Sequence, residues 1–110
     1  MEKRHIVLDT ETTGLEVEKG HRIIEIGGVV MNGRKKTTET FHVYVNPQRE
    51  IDKEAQEVHG ISNEDVQDKP LFSEIAEDLL EFIDGSTLVI HNADFDVGFL
   101  DAEFKIASST

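Results

Sequence analysis

The chain has 110 residues, room for one domain of modest size, and 37% of them are hydrophobic, enough for a core. Its 23 acids against 11 Lys and Arg give a net charge of −12, which argues against holding long nucleic acid on a basic surface but not against gripping a few nucleotides through bound cations. With no cysteine there is no disulfide and no thiolate metal site. No apolar run is long enough to span a bilayer and Met1 to His5 begins no signal peptide, so a cytoplasmic location with no membrane contact is the expectation.

His5-Ile6-Val7-Leu8 reads as a short buried strand that runs straight into Asp9-Thr10-Glu11-Thr12-Thr13-Gly14-Leu15. Thr12 to Gly20 is a loop punctuated by glycine. Arg22 to Met31, rich in Ile and Val, is a second strand. Asn32-Gly33 marks a hairpin turn, and Thr37 to Val45 alternates back as a third strand until Asn46-Pro47 breaks the sheet. The pattern then turns helical. Asp52-Lys53-Glu54-Ala55 is a capped start, leading through Val58-His59 to a stop at Gly60. Ser62 to Asp68 is a polar turn or short helix. Ser73 is the expected N-cap of a helix carrying Ile75, Leu79, Phe82 and Ile83 at helical spacing, closed by Gly85. Thr87 to Ile90 is a fourth strand, expected to join in parallel. A last helix begins over Asn92 to Phe95, with Phe99 and Ala102 or Glu103 along it, and Lys105 to Thr110 trails off without a stop signal. This order predicts an α/β fold, a mixed sheet with flanking helices.

An apolar strand that ends in acid-x-acid is costly to explain as packing. Side chains alternate along a strand, so Asp9 and Glu11 point the same way, about 6.6 Å apart at roughly 3.3 Å per residue. Two such carboxylates repel, so a positive group must sit between them or one must hold a proton. A hard divalent cation, Mg²⁺ or Mn²⁺, is the simplest answer. The plainer alternative is that both acids decorate a solvated strand end. A second cluster, His91-Asn92-Ala93-Asp94-Phe95-Asp96, lies where the fourth strand meets a helix, the end at which open α/β sheets build their sites. Asp94 and Asp96 point in different directions on a helix, so only one is expected to face the site. Asp96 is the candidate, and Asp94 serves the helix dipole. If Asp96 converges on Asp9 and Glu11, the three acids suit two divalent ions about 3.5–4 Å apart that straddle a phosphodiester.

His91 and Asn92 either contact a bound nucleotide or hydrogen-bond locally at the strand–helix corner. His59 reads, on spacing alone, as a surface residue, and His5, His21 and His42 read as structural. Glu25, a charge inside the apolar run Ile23–Gly27, is expected to be paired or to face the site rim.

Four segments, Ile6 to Leu15, Arg22 to Gly27, Val58 to Ile61 and His91 to Leu100, together resemble the DEDD superfamily of 3′–5′ exonucleases, in order and over nearly the whole chain. Within it they are most similar to the epsilon proofreading type of bacterial DNA polymerase III. The resemblance implies a ribonuclease-H-like fold and release of nucleoside monophosphates from a DNA 3′ end, single-stranded or frayed, during replication. It also implies two Mg²⁺ or Mn²⁺ ions, and the catalytic and accessory subunits of DNA polymerase III as partners. Carried over residue by residue, Asp9 and Glu11 match the first exonuclease motif and Asp96 the second, as catalytic metal ligands. Thr10, Thr12 and Leu15 match positions near the terminal nucleotide. Glu54, Ala55, Val58 and His59 match a helix lining the nucleotide pocket, and His91, Asn92 and Phe95 match the pocket wall.

The family's third motif is a His that acts as general base and an Asp that is the fourth metal carboxylate, set on a helix after a further strand. It has no match here: Asp101 and Glu103 follow Asp96 too closely, and no His follows His91. Residues 1–110 are therefore expected to form the N-terminal part of such a domain, lacking its C-terminal strand and helix, with impaired activity. Losing a positioned base costs about 10²–10⁴ in rate. Two other readings stay open. One is a phosphatase with Asp9 as nucleophile, against which Glu11 counts because such enzymes want Asp two residues on. The other is a non-catalytic acidic fragment that binds a polymerase partner.

Overall fold

In the computed structural model, residues 4–108 are described, and positions 109 and 110 of the trailing segment lie outside them. Four strands make one sheet in the order β3-β2-β1-β4: β1 is Arg4–Thr12, β2 Ile23–Asn32, β3 Lys35–Tyr44 and β4 Thr87–Val89. β1, β2 and β3 are antiparallel neighbours, and β4 joins β1 in parallel as expected. The helices are α1 (Lys53–His59), α2 (Asn63–Val66), α3 (Phe72–Ile83) and α4 (Ala93–Ser108). Among the described residues, no helix is long and apolar enough to cross a membrane.

Burial alternates along β1. Ile6, Leu8, Thr10 and Thr12 are buried, Val7 and Asp9 are exposed, and Glu11 is half-buried. The buried face meets α3 and α4: Ile6, Leu8, Ile26 and Val30 pack with Phe72, Ile75, Leu79, Phe99 and Leu100 in one core. Each large apolar side chain buried there contributes about 1.5–3 kcal/mol. The opposite face keeps the acids in or near water.

β1 runs four residues beyond the expected Leu8 because it pairs with β2 along its whole length, with Asp9 opposite Gly27 and Glu11 opposite Glu25. The acidic pair therefore sits on a rigid strand. Immediately after Glu11 the register slips, so that Thr12 faces Ile23 and Ile24 is the extra residue. Such a bulge re-aims a side chain. Here it lets two neighbours be buried in different places: Ile23 enters the main core, while Ile24 joins a second cluster with Ile51, Ile61 and Val66.

Several boundaries differ from the sequence reading by a few residues, and three of them have a clear physical reason. The hairpin turn is centred on Gly33 and Arg34, since Asn32 still pairs with Lys35, and Gly33 supplies the positive φ of 60° that a two-residue hairpin needs. α3 starts at Phe72, and the residue in the N-cap position is Leu71, not Ser73. Its N–H donates to the Glu74 carboxylate at 3.0 Å, which does the capping from inside the helix. α4 stays helical from Lys105 to Ser108 because Phe104 and Ala107 pack against the core.

Candidate active site

Across the sheet at the exit of β1, Glu11, Glu25 and Tyr44 lie directly opposite one another on successive strands, with Asp9, Gly27 and His42 in the next row. Like charges facing each other are destabilising. Glu25 is partly compensated, because its carboxylate lies 2.5 Å from His42 Nε2, so this residue is both paired and at the site rim. Among the described residues, Glu11 has no such hydrogen-bonding or ion-pair partner. Its carboxyl is pushed above the ordinary value first by burial, then by Asp9, with further contributions from Glu25 and Asp96 and a partial offset from His59.

Asp96 comes from the first turn of α4 and is 5% exposed, whereas Asp94 is exposed. The Thr10 hydroxyl donates a short hydrogen bond to the Asp96 carboxylate. Thr10 points to the opposite face of β1 from Asp9 and Glu11, so Asp96 meets the strand from the core side. Burial pushes the Asp96 carboxyl up, the Thr10 bond draws it partly back, and the charge of Asp9 adds to the rise. Glu11 thus feels the charge of Asp9 and Asp96, and Asp96 feels that of Asp9. The three acids do not form a finished cage: among the described residues, no three or more His, Cys, Asp or Glu side chains are grouped to hold a metal ion.

A cavity of about 410 Å³ opens beside Glu11. Of the residues matched to nucleotide contacts, Thr10, Thr12, Leu15, Glu54, Ala55, Val58, His59 and Phe95 line it. His91 and Asn92 do not; both are exposed in the turn after β4. Leu15 and Val58 stand at 82% and 85% exposure on different walls. Thr12 is turned inward, its hydroxyl donating to the Gly14 carbonyl at 2.7 Å.

His59 is fixed at both ring nitrogens. Its Nδ1 accepts the Ile61 N–H at 3.1 Å, so the ring hydrogen is on Nε2, which donates to the Thr12 carbonyl at 3.1 Å. With both ring nitrogens engaged, this imidazole holds the cavity wall in place.

The family model described as exonuclease matches residues 6–109. The chain belongs to this exonuclease family. It is 53% identical over 107 residues to the DNA polymerase III subunit epsilon of Rickettsia typhi and 51% identical over 107 residues to that of Escherichia coli K12. The matches cover 97% and 94% of this chain but only 47% and 44% of those proteins, so the chain spans under half the length of these relatives. Among solved structures it is similar to the nuclease domain of 3′hExo, a DEDDh family member, bound to rAMP. There the TM-score is 0.79 at 20% identity, over 97% of this chain and 60% of that one. It is also similar to exonuclease X in complex with 5′ overhanging duplex DNA, with a TM-score of 0.66 at 34% identity over 84% and 51%. The expected ribonuclease-H-like mixed sheet is therefore the fold.

Two residues that support this site escaped the sequence reading. His21, read as structural, is 7% exposed yet also lines the cavity. Glu103, read only as a helix-stripe position, is 2% exposed. It lies two turns beyond Asp96 on the same helix face, and its carboxylate accepts Arg22 Nε–H at 3.0 Å, Arg22 Nη2–H at 2.7 Å and the Ile23 N–H at 2.9 Å. This tie pins α4, and with it Asp96, to the start of β2. No local spacing rule links positions 22 and 103.

Proposed function

We propose that this chain is a metal-dependent 3′–5′ exodeoxyribonuclease module of the epsilon proofreading type, which takes a DNA 3′ end into the cavity beside Asp9, Glu11 and Asp96. The observation that carries the reading is the crowding of acids around Glu11, which lines the cavity: behind the larger effect of burial, Asp9 adds to the rise of Glu11 and Asp96, and Asp96 adds to that of Glu11. Carboxyls held above their ordinary range by burial and by neighbouring acids mark a place short of positive charge, and such places cluster at functional sites. The donor set is all oxygen, which fits a hard dication such as Mg²⁺ or Mn²⁺ and no softer metal. Asp9, Glu11 and Asp96 would hold it. When bound, such ions lower the pKa of an attacking water and stabilise charge on the phosphate and leaving oxygens.

The remaining work falls to the chain's own side chains. Thr10 orients Asp96 from below. Leu15 and Val58 offer exposed apolar surface at the mouth, suited to the faces of a terminal base, and Phe95 extends the apolar lining from α4. His59 fixes the spacing of the walls by bonding Thr12. Under this reading the partners are the catalytic and accessory subunits of DNA polymerase III, and the compartment is the cytoplasm.

The test uses this chain with Mn²⁺ and a DNA single strand labelled at its 5′ end. Slow stepwise shortening from the 3′ end with release of nucleoside monophosphates is expected, and Asp9→Ala or Glu11→Ala abolishes it. Undiminished cleavage in both variants removes them from the site. The net charge of −12 favours a second reading, a non-catalytic acidic module for a basic partner. Stable binding of such a partner with no turnover in Mn²⁺ would replace the first.

A further inference from the structure

We propose that His21, Thr13 and Asp52 form a positioning clasp that sets the width of the cavity by docking α1 against the exit of β1. The functional consequence rests on reading the cavity as a nucleotide pocket. α1 has seven residues and buries none of them. A helix this short is not stable on its own. Its apolar anchor is Ala55, half-buried against the Ile24, Ile51, Ile61 and Val66 cluster. Its placement against β1 is therefore governed by polar ties at its two ends. The C-terminal tie is His59 to the Thr12 carbonyl.

The N-terminal tie is more elaborate. Asp52 N–H donates to the Thr13 carbonyl at 2.8 Å. The Asp52 carboxylate lies 3.3 Å from His21 Nε2, and His21 Nδ1 lies 2.8 Å from Thr13 Oγ1. That hydroxyl oxygen also accepts the Arg22 N–H at 3.0 Å. Below the ring sits Gly14, where a Cβ would lie 2.3 to 2.5 Å from imidazole atoms. The ring thus fills a slot with no slack. Gly14 leads directly to Leu15, so one imidazole fixes both walls: the loop that carries Leu15 and the helix that carries Val58.

Carboxylate, imidazole and hydroxyl in a row have the makeup of a nucleophile triad. Thr13 is 0% exposed and its oxygen is already engaged by a backbone amide, so no substrate carbon or phosphorus can reach it. The row positions; it does not react.

Asp52→Ala is the clean probe. Asp52 is exposed, and its side chain makes no capping bond to α1, so the substitution removes the tie to His21, together with a longer 4.0 Å pairing to Arg49, without emptying the core. His21→Gln, whose amide N–H can still reach toward Asp52, is the conservative partner to His21→Ala. Two readouts are taken on the whole chain: hydrogen exchange of the α1 amides without ligand, and affinity for deoxythymidine monophosphate in Mn²⁺. Asp52→Ala is expected to speed α1 exchange and to weaken nucleotide binding about 3- to 10-fold, His21→Ala more, and His21→Gln less than His21→Ala. The melting temperature of Asp52→Ala should move by no more than about 4 °C. Unchanged α1 exchange overturns the clasp. Faster exchange with affinity held within about twofold also overturns it, because the tie then serves stability alone. If the unmodified chain binds no nucleotide in this cavity, the nucleotide reading fails, while α1 exchange still decides whether the clasp exists.

Discussion

Arg22→Ala strips a buried carboxylate of its cation. Glu103 is 2% exposed and would keep only the Ile23 amide, at 2.9 Å, of the three hydrogen bonds it accepts. Breaking a buried pair from one side costs about 3–5 kcal/mol, and the lower end applies because Arg22 is itself partly solvated. At about 4–8 °C per kcal/mol for a domain of this size, about 3 kcal/mol lowers the melting temperature by about 12–24 °C. The sign of the second step is the sharper test. Adding Glu103→Gln removes the stranded charge, keeps an oxygen for the Ile23 N–H, and lets water reach the amide through the space Arg22 vacated. The double variant should therefore be more stable than Arg22→Ala alone, by about 1–2 kcal/mol, despite carrying one more substitution. Urea melts followed by circular dichroism at neutral pH give all three values. A cost under about 1 kcal/mol for Arg22→Ala, or a double variant weaker than the single, would refute the role assigned to this pair.

Two further outcomes follow from the site. Glu11 and Asp96 titrate above their ordinary values in the folded chain, so the folded state takes up their protons before the unfolded state does. Their contribution is most favourable below the ordinary carboxylate range and is lost as pH rises from there through the raised folded values. The stability advantage of Glu11→Gln with Asp96→Asn over the unmodified chain, read from urea midpoints, should grow across that window and then level off; a difference independent of pH contradicts the rise that burial and the neighbouring acids impose on the two carboxyls. Gly14→Ala must displace the His21 ring, and overpacking of this kind costs about 1–3 kcal/mol, or about 4–24 °C in melting temperature. A melting temperature within about 2 °C of the parent would show that the slot has slack.

Strand order was legible because alternation and turn chemistry act locally. Asn32-Gly33 announced the hairpin and was off by a single residue, since strand pairing extends through Asn32. Asp9 and Glu11 stood out because two acids at the end of an apolar strand have no packing rationale, and the segments around them carry the family resemblance. Thr10, matched by resemblance to the terminal nucleotide, lines the cavity and in addition holds Asp96 across 86 positions of sequence. Contacts of that range leave no periodic trace. The same is true of Arg22 with Glu103, and of His21, whose strand-like neighbours suggested a structural role and whose partners, Thr13 and Asp52, arrive from a loop and a helix cap. The bulge at Ile24 was equally hidden, because Ile23-Ile24 reads as one apolar run until two separate clusters claim one residue each.

The most direct test of the account is Mn²⁺ binding to this chain, followed by titration calorimetry and by loss of the free-ion electron paramagnetic resonance signal. Asp9, Glu11 and Asp96 acting together predict saturable binding that weakens at least about tenfold in each of Asp9→Asn, Glu11→Gln and Asp96→Asn. They also predict a stability gain of about 2.7 kcal/mol at a hundredfold excess over the dissociation constant. Saturable binding of equal strength in all four proteins, or none in the unmodified chain, would contradict it.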